Sequence, residues 1–155
     1  MAESIIIRKA TQDDFPVIYS FINELEETIL DQEQQRNIYR EVIRQDDYCY
    51  LVAETKSEVV GYISCHSQLL LHHGGRVGEI QELFVKAEMR SHGIGKLLVD
   101  AIKVWAREKA LLQVEVTANV SRTSTHAFYT REGFAHTHKK FVYTLSPADF
   151  RRIIS

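Results

Sequence analysis

The sequence predicts a mixed α/β domain with a central, mostly antiparallel sheet flanked by helices. Two observations favour this class: short β-branched runs alternate with amphipathic helical stripes, and several strand-like runs follow one another without an intervening helix. The predicted order of elements is β-α-α-β-β-β-α-β-α-β. Only two prolines and no glycine-serine linker interrupt the chain, so we expect a single domain over residues 1–155.

Charge and hydropathy argue against several classes of function. The formal net charge is −2 and no basic block is present, which argues against nucleic-acid and membrane partners. Apolar runs such as Ile5–Ile7 are too short to span a bilayer, and the N-terminus lacks the long apolar region of a signal peptide. We therefore expect a cytoplasmic protein in which Cys49 and Cys65 are buried free thiols.

The first half of the chain predicts one strand and two helices. Residues 4–10 predict a strand, because a β-branched run is followed there by two charged residues. Thr11 is a suitable N-cap for a helix, and Asp31 opens a second, more polar helix. The apolar stripe of the first helix has helical spacing and consists of Phe15, Ile18, Tyr19, Ile22 and Leu25.

The middle of the chain predicts strands. Residues 48–53 and 59–68 alternate as the two arms of a hairpin. Residues 69–78 read as a loop, because they carry two adjacent histidines and three glycines. Residues 79–85, E-I-Q-E-L-F-V, read as a further strand. Simple alternation along it places Glu79 and Gln81 on one face and Glu82 on the other.

The last third predicts two more helices and two more strands. A continuous apolar stripe from Ile94 to Ala106 indicates a helix, and residues 114–117 indicate a strand. Residues 124–132 indicate a short helix that Gly133 ends. Residues 134–145 alternate as a final hairpin or bent strand.

The stretch R-S-H-G-I-G-K, residues 90–96, lies between a strand and a helix. Backbone N–H groups at a helix start have no internal partner and attract anions, and glycine lets a ligand approach them closely. The dinucleotide-binding fingerprint fails because its third glycine falls at Leu98. The phosphate loop of nucleotide-binding proteins fails because Leu97 follows Lys96. Alone, the motif also fits a turn without a ligand.

Further features resolve this ambiguity. L-F-V ends the preceding strand at residues 83–85, Asn119 follows the next strand, and A-F-Y-x-x-x-G-F spans residues 127–134. Together they resemble the GNAT superfamily of N-acetyltransferases, whose acetyl-CoA signature Q/R-x-x-G-x-G/A is matched by Arg90, Gly93 and Gly95. The resemblance implies the single-domain GNAT fold over nearly the whole chain.

Longer stretches are similar to one branch of that superfamily, the bacterial aminoalkylphosphonate N-acetyltransferases. They are H-H-x-x-x-x-G-E-I-Q-E-L-x-V at residues 72–85, T-x-N-V at residues 117–120 and H-x-F-Y-x-R-E-G-F at residues 126–134. This resemblance implies acetyl transfer from acetyl-CoA to the primary amine of a small molecule, by direct attack in a ternary complex.

The resemblance also implies where acetyl-CoA binds. Its pyrophosphate is expected on the backbone of residues 91–96, with Arg90 and Lys96 adding positive charge. A backbone N–H at the end of the preceding strand is expected to polarise the thioester carbonyl. Asn119 is expected to bind the amide groups of the cofactor. The complete expected cofactor set is Leu83, Phe84, Val85, Arg90, Ser91, His92, Gly93, Ile94, Gly95, Lys96 and Asn119.

Acetyl transfer needs a base for the ammonium and an acid for the leaving thiolate. Glu79, Gln81 and Glu82 compete at the base position. The residue at position 82 is more often acidic in the superfamily, but we favour Glu79. Tyr129 matches the superfamily's tyrosine and is expected to protonate the thiolate.

A phosphonate head group needs cations. Arg36 and Arg44 match the pattern of the aminoalkylphosphonate enzymes, and Gln81 and His138 complete the expected substrate set. His136 and His138 would share one face of a strand and so suggest a zinc or nickel site, together with His72 and His73. Ordinary polar histidines explain the same pattern more simply, so a divalent metal ion stays open.

Two alternatives keep the fold. One changes the acceptor to a polyamine, another small amine or a protein amine. The other is a non-catalytic acetyl-CoA-binding module, against which the intact Tyr129 argues. The resemblance is compatible with a homodimer, for which the sequence shows no specific interface stripe.

Overall fold

The computed structural model describes residues 4–56, 58–118 and 123–145, and these ranges contain five strands and four helices. The chain divides into two compact units: Met1–Ser121, which holds the sheet and the first three helices, and Arg122–Ser155, which holds the fourth. The strands are β1 (Ile6–Lys9), β2 (Tyr48–Glu54), β3 (Val59–Leu70), β4 (Gly75–Val85) and β5 (Val114–Val116). The helices are α1 (Phe15–Glu26), α2 (Gln32–Ile43), α3 (Ile94–Glu108) and α4 (Thr123–Arg131).

The sheet has the order β1-β2-β3-β4-β5. Its first four strands are antiparallel neighbours, and β5 joins β4 in parallel. The parallel step requires a crossover, which α3 supplies. The predicted class, a mixed but mostly antiparallel sheet flanked by helices, is confirmed.

Each face of the sheet is covered by different helices. One face, here called the α1/α2 face, carries Val52, Tyr62 and Phe84, which pack in one core with Phe21 of α1 and Tyr39 of α2. The opposite face meets α3. A Cβ added at Gly61 would lie 3.2 Å from the Ile94 side chain and 3.3 Å from that of Leu98. The neighbouring residues Gly61 and Tyr62 of β3 therefore face opposite sides of the sheet, as strand alternation requires.

The entry to α1 is fixed by charge. Thr11 precedes a short 3₁₀ turn, Gln12–Asp14, and its N–H donates to the Asp14 carboxylate at 2.7 Å. Arg8 donates two hydrogen bonds to that carboxylate, at 2.8 and 2.9 Å, and a third at 2.7 Å to Glu54. The hydrogen bonds from Arg8 hold the pKa of Asp14 below its ordinary value. The predicted cap at Asp31 is confirmed, because its carboxylate accepts from the N–H of Gln34. Thr11 instead caps the 3₁₀ turn, and the residue at the N-cap of α1 is Asp14.

The predicted loop over residues 69–78 is wrong. β3 continues to Leu70 and β4 begins at Gly75, so a 3₁₀ turn and Gly74 are all that joins them. Two of the glycines that suggested a loop lie inside β4 for a packing reason. A Cβ at Gly75 would stand 2.8 Å from Leu112, and one at Gly78 would stand 2.9 Å from Leu111. The sheet needs bare backbone at both positions.

The predicted final strand over residues 134–145 is not formed. These residues belong to no strand pair in the described part of the structure. Gly133 follows α4 with φ +94, so the predicted glycine at the end of this helix is confirmed. Phe141 is 91% exposed and its neighbour Val142 is 74% exposed, so neither alternating side is buried. Alternation alone does not make a strand, which also needs a hydrogen-bonded neighbour.

The two cysteines are buried free thiols, as predicted. Cys49 and Cys65 face each other across β2 and β3. Burial raises the pKa of Cys49 to about 11 and that of Cys65 to about 12. Both thiols are therefore poor nucleophiles at neutral pH. None of the helices in the described part of the chain is long and apolar enough to cross a membrane.

Candidate active site

The glycine motif forms a tight, open entry to α3. The 3₁₀ turn Ala87–Met89 follows β4, and the chain then passes through the left-handed region twice, at Ser91 with φ +65 and at Gly93 with φ +79. A Cβ added at Gly93 would meet no atom within 4 Å. Space is therefore open where the glycine stands, in front of a helix N-terminus that favours anions.

The loop is tied to the end of β4 by Arg90. Its Nε donates to the Val85 carbonyl at 3.0 Å, and its guanidinium lies 5.8 Å from the centre of the Phe84 ring. The His92 ring nitrogen Nδ1 lies 2.8 Å from the Arg90 carbonyl oxygen, so this histidine contacts the backbone of the turn and stabilises it. Lys96, expected to face the ligand, pairs with Asp100 at 3.1 Å. Arg90 and His92 thus shape the loop.

A β-bulge interrupts β4 before the chain reaches the glycine motif. Ser64 pairs with Glu82 and Cys65 pairs with Ile80, so Gln81 is the extra residue. His66 pairs with Glu79, and because Ser64 and His66 share a face, Glu79 and Glu82 share it too. The predicted placement of these two carboxylates on opposite faces is therefore wrong. Both lie on the α1/α2 face.

The same bulge marks where β4 leaves β5. The parallel ladder pairs Gly78–Ile80 with Val114–Val116 and extends no further in the described residues. The N–H of Lys86 donates to Val60 of β3 at 2.9 Å, so alternation turns the N–H groups of Leu83 and Val85 toward the other edge. Of the three residues expected at the thioester, Leu83 and Val85 direct their N–H groups to this free edge, whereas the N–H of Phe84 points toward β3.

Glu82 is held by two hydroxyl groups of β3. The Tyr62 hydroxyl donates to Glu82 Oε1 at 2.8 Å, and the Ser64 hydroxyl donates to the same oxygen at 2.6 Å. Ser64 Oγ in turn accepts from the Glu82 N–H at 3.2 Å. Burial, with the Glu82 charge as the second cause, raises the pKa of Tyr62 well above its ordinary value. Tyr62 therefore stays a donor.

Glu79 lies in a more open part of the α1/α2 face. It is half-buried, opposite His66, whose Nδ1 lies 3.1 Å from the Gln81 amide nitrogen. The Tyr48 ring lies 5.9 Å from the His66 ring. Across the parallel ladder, Glu79 is aligned with Glu115 of β5. This part of the face therefore combines two carboxylates with an imidazole, an amide and a tyrosine ring.

Of the two arginines expected at the substrate, Arg36 lies on α2 and Arg44 is the C-cap residue directly after it. The Arg36 guanidinium stacks over the Phe15 ring at 4.8 Å, and Arg44 pairs with Glu41 at 2.7 Å on an exposed part of the helix. Arg36 is half-buried, so of the two it is the better-held cation. The structure brings Gln81, Glu79 and Glu82 onto one face.

The remaining predicted residues belong to the second unit or to undescribed segments. Tyr129 is buried, with its ring centre 5.5 Å from that of Phe134, and burial raises its pKa to about 12. His138 is exposed and lies 2.6 Å from the Thr137 hydroxyl. Because residues 134–145 form no strand, the expected shared face of His136 and His138 is wrong. Asn119 lies outside the described residues.

Within the described ranges, no three histidine, cysteine or acidic side chains come close enough together to hold a metal ion. The described residues therefore give no support for the divalent metal ion that the sequence left open.

Several polar residues of this face were missed by sequence reasoning, which assigned their strands but no role to their side chains. They are Tyr48, Tyr50, Tyr62, Ser64, His66 and Glu115. A usable signal was present: Y-C-Y in β2 and Y-I-S-C-H in β3 place polar groups at every second position. That period marks one face of a sheet as polar and partly covered.

The sheet, the bulged strand and the glycine-led helix together define an α/β N-acetyltransferase domain. Residues 7–134 match the family model described as acetyltransferase (GNAT) family, and the chain belongs to this family. It is 36% identical to an aminoalkylphosphonate N-acetyltransferase of Salmonella typhimurium over 139 residues, which cover 90% of each chain.

Solved structures share the fold at low identity. An aminoglycoside N-acetyltransferase, AAC(6')-Iy, in complex with CoA has a TM-score of 0.84 and 16% identity, and the match covers 94% of this chain and 97% of that one. A transcriptional regulator from Bacillus halodurans has a TM-score of 0.85 and 19% identity, over 92% of this chain and all of that one. A glucosamine-6-phosphate N-acetyltransferase from Arabidopsis thaliana has a TM-score of 0.76 and 20% identity, and the match covers 93% of this chain and all of that one. The recognised family and its acetyltransferase activity are confirmed.

Proposed function

We propose that this chain transfers the acetyl group of acetyl-CoA to the primary amine of an aminoalkylphosphonate. One observation carries the acetyl-CoA part. Strand β4 leaves β5 at a bulge, turns the N–H groups of Leu83 and Val85 outward, and leads into a helix start that is open at Gly93. A free strand edge suits an amide-bearing arm, and a helix N-terminus suits a pyrophosphate.

The acceptor side of the proposal rests on the α1/α2 face. An alkylamine titrates near pH 10, so only about one molecule in a thousand is neutral at pH 7. Glu79 takes the proton, because it is half-buried and its carboxylate accepts no hydrogen bond from the described residues. The amine nitrogen then forms a bond to the thioester carbon. The negative charge that develops on the carbonyl oxygen is stabilised by the N–H of Leu83 or Val85, which is worth about 3 kcal/mol.

The carbon–sulfur bond then breaks, and the thiolate that leaves needs a proton, for which Tyr129 is the donor that the family motif predicts. The extra N–H proton of the adduct returns to the Tyr129 phenolate, which leaves the neutral amide. The raised pKa of Tyr129 keeps the phenol protonated at neutral pH. The coenzyme A thiol titrates near pH 8.5, so the leaving thiolate is basic enough that a nearby proton donor assists its departure.

The phosphonate acceptor is supported by the similarity to the Salmonella typhimurium enzyme. Arg36 is the best-held cation of the predicted substrate set for the phosphonate. A polyamine acceptor is the second candidate, and one observation favours it: Glu79, Glu82 and Glu115 lie on the same face and would suit a polycation.

A thiol-release assay over a panel of amines separates these acceptors. The panel contains 1-aminoethylphosphonate, 2-aminoethylphosphonate, spermidine, an aminoglycoside and an amino acid, each with and without a chelator. We expect the phosphonates to have the highest kcat/KM, by about tenfold or more. The substrate assignment is wrong if they react no faster than the other amines, and loss of turnover with chelator would establish the metal.

A further inference from the structure

The two oxygens of the Glu82 carboxylate are in different situations. Oε1 accepts both hydroxyl hydrogens, from Tyr62 at 2.8 Å and Ser64 at 2.6 Å. Oε2 accepts no hydrogen bond from the residues that the structure describes. Tyr62 and Ser64 are both fully buried, with 0% of their surface exposed. The carboxylate is therefore fixed in one orientation, with one oxygen occupied and one available.

Aromatic rings stand beside this carboxylate. The Tyr50 ring meets that of Tyr62 edge-on at 5.9 Å, and the Tyr48 ring meets that of Tyr50 at 6.3 Å. Aromatic rings attract cations, as an ionised carboxylate does. A fixed carboxylate oxygen beside tyrosine rings is therefore suited to an ammonium group.

On the basis of the proposed function, we propose that the Glu82 carboxylate binds the ammonium group of the acceptor. Its Oε2 accepts one N–H of the ammonium, and Tyr62 and Ser64 are positioning residues that aim this oxygen. A second N–H proton passes to the Glu79 carboxylate, which becomes a carboxylic acid and leaves the nitrogen with its lone pair. The two glutamates that compete for one role in the sequence thus have different roles, binding and proton transfer.

A split between KM and kcat tests this division. In Glu82→Gln, we expect the KM for 2-aminoethylphosphonate to rise about tenfold while kcat stays within about threefold, because an interaction made equally with substrate and transition state is lost. The Kd of 2-hydroxyethylphosphonate, measured by calorimetry on the CoA-saturated protein, is expected to stay constant, since this analogue has no ammonium. A fall in kcat at constant KM would make Glu82 the base. An equal loss of affinity for amine and hydroxyl analogue would show general damage to the cavity. Either result overturns the proposal.

The positioning residues are tested through Glu82. Tyr62→Phe and Ser64→Ala should each raise the KM for the amine about threefold, and neither should add to the effect of Glu82→Gln in a double variant. Tyr39→Phe is the matched control, because Tyr39 is buried in the same core and its hydroxyl donates to the Thr11 carbonyl at 2.7 Å, away from Glu82. Additive effects, or an equal rise in KM for the control, would overturn the positioning role. If the unmodified protein neither binds nor acetylates 2-aminoethylphosphonate, the proposed substrate fails instead.

Discussion

Gly93 and Gly74 form a matched pair for testing where coenzyme A binds. Both lie in the left-handed region, with φ +79 and +70, and a Cβ added at either would meet no atom within 4 Å. They differ in place, because Gly93 precedes α3 whereas Gly74 lies in the turn between β3 and β4. Replacing each by valine therefore adds the same strain and a similar volume at two different sites.

The expected magnitudes separate backbone strain from ligand contact. An L-residue in the left-handed region costs about 1–2 kcal/mol, so both variants should lose this much stability. For a chain of this length that is a fall in Tm of about 2–8 °C. Only Gly93→Val should also block the pyrophosphate from the backbone N–H groups. Losing one charge-assisted hydrogen bond costs about 1.5–3 kcal/mol, or about 10- to 150-fold in Kd.

The assay is calorimetric titration of coenzyme A into both variants, with thermal unfolding measured in parallel. We expect similar falls in Tm and a weaker Kd for Gly93→Val alone. A wild-type Kd for Gly93→Val would refute the placement of the pyrophosphate. An equal loss of affinity in Gly74→Val would show that strain, rather than occupied space, weakens binding.

Three further changes test the other roles. Glu79→Gln should lower kcat at least about 100-fold with a small change in KM, because it removes the proposed base; a kcat within about threefold of wild type would place the base elsewhere. Tyr129→Phe should lower turnover about tenfold or more while the Kd of acetyl-CoA stays nearly constant. Because burial raises the pKa of Tyr129 to about 12, its deprotonation should cause no loss of wild-type activity below about pH 11. Asp14→Asn should lower the free energy of unfolding by about 2 kcal/mol at pH 7. Arg8 lowers the pKa of Asp14 in the folded state. The stabilisation is therefore present above the ordinary pKa of 3.8 and is lost as the pH falls below it, so stability measured by denaturant unfolding should depend less on acid pH in the variant. An unchanged acid dependence would contradict the role of Arg8.

Sequence reasoning succeeded where structure depends on neighbouring residues. The stripe of α3 is buried at Ile94, Leu98 and Ile102, since helical spacing alone decides which side chains face the sheet. The cap at Asp31 was predictable for the same reason, because a capping bond spans three residues. The glycine motif could be located, although its geometry needed the left-handed backbone at Ser91 and Gly93.

Sequence reasoning failed where a distant partner decides. Gly75 and Gly78 suggested a loop, but Leu112 and Leu111 pack against them and make them strand residues. The final apolar segment suggested a strand, but no neighbour pairs with it in the described residues. The faces of Glu79 and Glu82 depended on the register with β3, which no local pattern along β4 contains.

The extra residue at Gln81 connects these features of the site. Without a bulge, Glu79 and Glu82 would lie on opposite faces, because an odd separation along a regular strand reverses the side chain. The bulge brings both carboxylates to the α1/α2 face, where Tyr62 and Ser64 fix one of them. The same inserted residue shifts the backbone alternation, so that the N–H groups of Leu83 and Val85 turn to the edge that β5 no longer covers. The proposed acceptor groups and the proposed thioester donors thus depend on a single irregularity in β4.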